Sequence, residues 1–94
     1  MFSTPLQINL SQDPARPRTV LELVAGDRPG LLFQVGKVFE DLDIQLQNAK
    51  ISTLGERAED VFFIASAANE PLDDEACERL QRALEVELVD MQAA

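Results

Sequence analysis

The sequence contains no histidine and only one cysteine, Cys77, among its 94 residues. Without histidine, the chain cannot assemble a Ser-His-Asp or Cys-His catalytic unit, because both need an imidazole base. One cysteine cannot form an internal disulfide framework or a cysteine-cluster metal site, and the missing imidazoles also argue against structural zinc. We therefore expect no catalytic residues, no metal ligands and no cofactor in this chain.

Basic residues are also scarce, since 8 Lys and Arg stand against 17 Asp and Glu and the formal net charge is -9. This charge argues against binding to nucleic acid, which depends on neutralising phosphates, and against an anionic membrane surface. No hydrophobic run approaches the length of a membrane span, and residues 1–18 lack the basic start and apolar centre of a signal peptide. We expect a cytoplasmic protein with one domain over residues 1–94, frayed at 1–5 and 90–94.

Alternation and helical spacing predict six elements in the order strand, strand, helix, strand, strand, helix. The predicted strands cover residues 6–10, 19–25, 44–53 and 59–66, and the predicted helices cover 31–42 and 73–88. The apolar positions of the third strand change parity, which predicts a bulge near Gln47-Asn48. The segment Leu84–Leu88 also alternates, so a strand remains an alternative to the helix there.

The last five elements match the βαββα part of a ferredoxin-like fold, which normally ends with a further strand. That final strand would pair antiparallel with the strand at 19–25, and the segment at 6–10 can occupy the same edge through a hairpin. We therefore predict an α+β ferredoxin-like fold with the order ββαββα. Its four-stranded antiparallel sheet carries two helices on one face, and the N-terminal strand replaces the usual C-terminal strand.

The segment Asp27-Arg28-Pro29-Gly30-Leu31-Leu32 connects the second predicted strand to the first predicted helix. Asp27 suits capping of the first-turn amides, Pro29 suits the first helical positions, and Gly30 allows a tight turn or a close approach to a ligand. Unpaired amides and the positive helix end can hold a carboxylate. The same residues can also form only a capped, pre-shaped turn.

Two other positions have a functional and a structural interpretation. Asn48, beside the predicted bulge, has a donor and an acceptor that suit an amide or α-amino group, or that satisfy backbone groups at the bend. Phe33 falls opposite the apolar stripe of its helix, which favours contact with a partner. Four charged residues are predicted to form a solvated hairpin: Glu56, Arg57, Glu59 and Asp60.

The turn at Asp27–Leu32, the segment Asn48-Ala49-Lys50-Ile51 and the strand around Val61–Ile64 resemble the ACT domain. The hairpin Gly55-Glu56-Arg57-Ala58-Glu59-Asp60 narrows the resemblance, over residues 18–70, to the last, C-terminal ACT domain of the bifunctional uridylyltransferase/uridylyl-removing enzymes that modify the signal protein P-II. The resemblance implies a regulatory domain that is not itself an enzyme, because the catalytic domains of that family lie upstream. It also implies that the ligand is an amino acid, with glutamine expected.

The resemblance further implies where this amino acid would bind. ACT domains pair side by side, and their ligands lie between the turn of one domain and a strand of its neighbour. The implied ligand-binding residues are Asp27, Arg28, Pro29, Gly30, Leu31 and Leu32 in the turn, and Asn48, Ala49, Lys50 and Ile51 in the strand. The implied protein partner is a second copy or another ACT domain.

Two other functions are alternatives to an amino-acid sensor. An assembly module that pairs without a ligand is the main alternative. A nucleic-acid-binding ferredoxin-like domain would need a basic surface and aromatic residues on the sheet, which the net charge of -9 disfavours.

Overall fold

A computed structural model describes residues 5–93, with side-chain environments up to Leu88. It contains β1 (Gln7–Gln12), β2 (Thr19–Gly26), α1 (Leu31–Asp41), β3 (Gln45–Leu54), β4 (Arg57–Ala65) and α2 (Asp74–Ala93). The element order is the predicted one, and α2 continues beyond its predicted end near residue 88. Of the ends predicted to fray, residues 1–4 and 94 lie outside the described residues.

The four strands form one antiparallel sheet in the order β1-β2-β4-β3. β1 pairs with β2 along its whole length, which confirms that the N-terminal strand replaces the usual C-terminal one.

The C-terminal end of β1 takes part in a small cluster of hydrogen bonds. The Gln12 side-chain amide donates to the Leu72 carbonyl at 3.1 Å, while the Thr19 hydroxyl donates to Gln12 Oε1 at 3.0 Å and accepts from the Leu72 N–H at 2.9 Å.

The core lies between the two helices and one face of the sheet. Alternation along the central strands directs Leu21 and Leu23 of β2, and Phe62 and Ile64 of β4, towards the helices, and each is at most 3% exposed. Phe39 of α1 meets Phe62 edge-on, with ring centroids 5.6 Å apart at an interplanar angle of 81°, a favourable arrangement for two aromatic rings. The predicted α+β ferredoxin-like fold is confirmed.

β3 forms the opposite edge of the sheet from β1. Its pairing with β4 shifts register between Leu46 and Asn48, so the bulge predicted from the parity change is confirmed. Gly55, in the turn that joins the two strands, has φ 63, a left-handed value that glycine adopts without steric cost.

The two helices begin differently. The Asp73 carboxylate caps α2, because its Oδ1 accepts a hydrogen bond from the Ala76 N–H at 2.8 Å. The predicted capping of α1 by Asp27 is wrong: α1 begins after Gly30 and has no side-chain cap. An N-cap residue directly precedes the first helical residue, and Asp27 is too early in the chain. Pro29 likewise lies in the turn before the helix rather than within it.

The left-handed backbone of Gly30, with φ 86, is what turns the chain into α1. We expect Gly30→Ala to lower the free energy of unfolding by about 1–2 kcal/mol, because a Cβ is strained in this conformation. Gly36→Ala is the matched control, since a Cβ there meets nothing within 4 Å and alanine gains up to about 1 kcal/mol in a helix interior. Urea unfolding measures both effects, and a loss of stability in both variants would contradict this account of Gly30.

The segment over Leu84–Leu88 is helical, as preferred over the strand alternative. Leu84 and Leu88 are fully buried while Val86 is 62% exposed. A strand would place all three side chains on one face, whereas a helix separates the middle one.

Alanine substitutions in α2 test this arrangement in solution. We expect Leu84→Ala to lower the free energy of unfolding by about 2–5 kcal/mol, because it empties a core position. Val86→Ala should change it by no more than about 0.5 kcal/mol, as is usual for exposed positions. Chemical denaturation followed by circular dichroism gives both values, and similar losses for the two variants would argue for the strand.

Candidate functional site

A cavity of about 260 Å³ lies between the start of α1 and the adjoining ends of β3 and β4. Six of the ten residues predicted to bind a ligand line it: Asp27, Arg28, Gly30, Leu31, Leu32 and Ile51. Four further residues complete the lining: Phe33, Thr53, Ala58 and Asp60. The Asp27–Leu32 turn is therefore one wall of a concave site within a single chain.

The first turn of α1 provides hydrogen-bond donors beside this cavity. The first amides of a helix have no acceptor within the helix itself. The Leu31 N–H donates to the Arg28 carbonyl at 3.3 Å, but the N–H groups of Leu32 and Phe33 have no acceptor among the described residues. These two amides, together with the positive end of the helix dipole, can hold a carboxylate.

Arg28 adds a positive charge to the same wall. Its side chain is partly buried, and its Nη2 donates to the carbonyl of Leu88 in α2 at 3.3 Å. Its Nε is buried and has no hydrogen-bond partner in the described part of the chain. The guanidinium thus ties the turn to α2 and retains a free donor.

A buried carboxyl group stands in the cavity wall contributed by β4. Asp60 is 1% exposed, and its Oδ1 accepts a hydrogen bond from the Ser52 N–H at 3.3 Å. Its Oδ2 has no partner among the groups that the structure describes, with side chains up to Leu88. Burial raises the pKa of the Asp60 carboxyl above its ordinary value, the Ser52 hydrogen bond opposes this rise, and the negative charge of Asp27 adds to it.

The prediction that Asp60 belongs to a solvated hairpin is therefore wrong. β4 already begins at Arg57, and strict alternation places Asp60 on the same face as Ala58 and Phe62, under the helices. The other members of that hairpin, Glu56, Arg57 and Glu59, are exposed or partly exposed. The signal was present in the sequence, because counting back by two from Phe62 reaches Asp60.

The four predicted residues of β3 divide between the two faces of the sheet. Ala49 and Ile51 lie on the helix side, whereas Asn48 and Lys50 lie opposite, as their partners on β4 show. Of these four, Ile51 lines the cavity. The Asn48 Oδ1 accepts a hydrogen bond from the Ala49 N–H at 2.9 Å, so its acceptor already serves the backbone at the bulge. Pro29, in the turn, is likewise outside the cavity lining.

Exposed apolar side chains occur along β3 and at the start of α1. The side chains of Leu46, Ile51 and Leu54 are 52%, 50% and 61% exposed, and Phe33 of α1 is 71% exposed. Phe33 was predicted to face a partner, and its exposure beside the cavity keeps it accessible to one. An edge strand with free backbone groups and apolar side chains is suited to pairing with another strand.

Other kinds of site find less support in the described part of the chain. Among the side chains that the structure describes, up to Leu88, no group of three or more Cys, Asp or Glu is placed to hold a metal ion. No helix described by the structure is long and apolar enough to cross a membrane.

The raised pKa of Asp60 predicts how stability depends on pH. The folded protein holds this proton more tightly than the unfolded chain, so the contribution of Asp60 to stability falls as pH rises from its ordinary pKa of 3.8 through its folded-state pKa. Asp60→Asn removes the charge and keeps an oxygen for the Ser52 N–H. We expect this variant to melt above the wild type at neutral pH and to lose that advantage below pH 3.8.

Calorimetric melting across this pH range checks the prediction. Asp41→Asn is the matched control, because it makes the same change of charge at an exposed position at the far end of α1. A melting temperature of Asp60→Asn below that of the wild type at neutral pH would contradict the destabilising role of the buried carboxylate.

Comparison with known proteins agrees with the fold. The family model of the ACT domain matches residues 19–85. The chain is 54% identical over 90 residues to the bifunctional uridylyltransferase/uridylyl-removing enzyme of Azotobacter vinelandii strain DJ, and 53% identical over 94 residues to that of Pseudomonas entomophila strain L48. These matches cover 95% and 99% of the chain but only 10% of each relative. With most of its length matched by the family model, the chain belongs to the ACT domain family.

Proposed function

We propose that this chain is the amino-acid-binding module of a cytoplasmic protein resembling the P-II uridylyltransferases, and that it senses glutamine without catalysing a reaction itself. The relatives are bifunctional uridylyltransferase/uridylyl-removing enzymes, of which the chain matches a tenth of the length. ACT domains generally bind amino acids and pair with other ACT domains, which makes this module the regulatory part of such a protein.

The cavity beside α1 is the observation that carries the proposal. Its volume of about 260 Å³ lies just below the range of about 300–1,000 Å³ that is usual for drug-sized ligands, so it suits a molecule as small as an amino acid. The α-carboxylate would accept hydrogen bonds from the amides of Leu32 and Phe33 and would lie near the Arg28 cation. The apolar walls suit the methylene groups of the ligand side chain.

A second ACT domain would complete the site. Asn48, Ala49 and Lys50 do not line the cavity of their own chain, and β3, which carries them, is an edge strand. We propose that the β3 edge pairs with a neighbouring ACT domain, so that a neighbour's strand brings these residues to the turn. An amide side chain such as that of glutamine needs both a donor and an acceptor. The neighbour's Asn48 would offer its NH₂ group and the second lone pair of its Oδ1, whose first accepts from the Ala49 N–H.

The exposed β3 edge also supports the alternative function, an assembly module without a ligand. Pairing through Leu46 and Leu54 would bury apolar surface whether or not the cavity is filled. The two functions differ in one measurable respect, because only the sensor gains stability from an amino acid.

Thermal unfolding with a panel of the twenty amino acids tests the sensor. We expect glutamine to give the largest rise in melting temperature, corresponding to about 2.7 kcal/mol at one hundred times its dissociation constant. Gly30→Val should abolish the rise, measured from the variant's own ligand-free melting temperature, since a β-branched residue at φ 86 distorts the turn. Gly36→Ala, within α1, should keep it.

Light scattering on the same samples separates the two functions. A dimeric wild type that responds to none of the twenty amino acids would favour the assembly module. A full glutamine response in folded Gly30→Val would show that the turn is not the binding site.

A further inference from the structure

We propose that the buried Asp60 carboxylate binds the ammonium group of a zwitterionic ligand in the cavity beside α1, and so selects free amino acids over carboxylates that lack this group. The inference rests on the proposed function and adds to it the residue that recognises the positive end of the ligand. It concerns a side chain of β4, outside both segments that the sequence marked as ligand-binding.

The hydrogen bonding of Asp60 is incomplete for a carboxyl group at 1% exposure. Buried carboxylates are usually paired with a cation or held by several donors. Asp60 receives one long bond, from the Ser52 N–H at 3.3 Å, and its buried Oδ2 receives none from the described residues. Because Asp60 lines the cavity, a donor on a bound ligand can reach it.

The neighbouring cations of the chain do not pair with Asp60. Arg28 shares the cavity, but its Nη2 donates to the Leu88 carbonyl, and its Nε, although free, forms no hydrogen bond with Asp60. Arg57, the first residue of β4, pairs with Glu59, with 3.1 Å between Nε and Oε2. Among residues 5–88, whose side chains the structure describes, no ion pair includes Asp60. The missing positive partner is therefore expected from outside the chain.

The two walls of the cavity have opposite polarity. The free amides of Leu32 and Phe33, with Arg28, offer donors and positive potential, while Asp60 offers an acceptor. An α-amino acid carries a carboxylate and an ammonium group on the same carbon, so one small molecule can satisfy both walls. A metal ion at Asp60 would need further oxygen, nitrogen or sulfur ligands, and no such cluster occurs in the part of the chain that the structure describes.

Protonation of Asp60 would remove the negative charge that the ammonium group needs. The charged groups that line the site beside Asp60 are Asp27 and Arg28 from the turn, and the neutral N–H of Ser52 in β3 donates to the Asp60 carboxylate. Since burial raises the pKa of the Asp60 carboxyl above its ordinary value of 3.8, acidification should protonate it while the pH is still above that value. Affinity for the zwitterion should therefore fall on acidification.

Isothermal titration with two ligands tests the assignment. The probes are glutamine and glutaramate, which is glutamine without its α-amino group. We expect the wild type to prefer glutamine by at least about tenfold, as a charge-assisted hydrogen bond implies. Asp60→Asn should bind glutamine roughly ten- to a hundredfold more weakly and lose the preference, while Asp41→Asn should match the wild type in both respects.

Two controls separate recognition from a loss of structure. The melting temperature of Asp60→Asn at neutral pH should equal or exceed that of the wild type, so that weak binding is not due to unfolding. The affinity of the wild type for glutamine should also fall on acidification, and that of Asp60→Asn should fall less, because residue 60 no longer titrates.

The outcomes distinguish the assignment of Asp60 from the proposed function. If folded Asp60→Asn binds glutamine as tightly as the wild type, or if the wild type binds glutaramate as tightly as glutamine, the assignment of Asp60 is overturned and the proposed function stands. If the wild type does not bind glutamine at all, the proposed function falls, and the assignment of Asp60 falls with it.

Discussion

The packing of α1 and α2 against one face of β2 and β4 determines what the other residues of this domain can do. Because side chains alternate along a strand, each residue of the central strands belongs either to the dry face under the helices or to the open face. Phe62 and Ile64 use this rule to build the core, and each is at most 3% exposed. The same rule brings Asp60 to the dry face, although an aspartate side chain is usually exposed to solvent.

The order of the elements was predictable because its signals are local. Alternation identified β1, and the shift of parity in β3 identified its bulge before Asn48. The replacement of the C-terminal strand by β1 was predictable because the edge beside β2 lacked its usual strand and a hairpin could bring β1 there. The start of α1 at Leu31 was predicted correctly, but its capping by Asp27 was not, because a single left-handed residue, Gly30, separates the helix from Asp27, and capping preferences do not report such an angle.

The candidate site was only half predictable. The Asp27–Leu32 turn was found because its residue types are those that shape a helix start, and most of them line the cavity. Asp60 was missed because its charged neighbours, Glu59 among them, suggested solvent, whereas parity decides burial. Asn48 and Lys50 lie on the other face of the sheet, and the sequence of one chain does not specify how a second chain is placed against it.

At Asp60, stability and ligand binding make opposite demands on the same atoms. An unpaired buried Oδ2 weakens the empty domain, because it has lost water without gaining a donor. A cation bound there would supply the missing donor. The binding free energy would then include the removal of the cost of the unpaired Oδ2. Arg28, which lines the same cavity from the turn, already links the turn to α2 through the Leu88 carbonyl. A domain whose site is incomplete when empty becomes more stable when occupied, and that difference is the quantity that a regulatory domain can transmit to the protein around it.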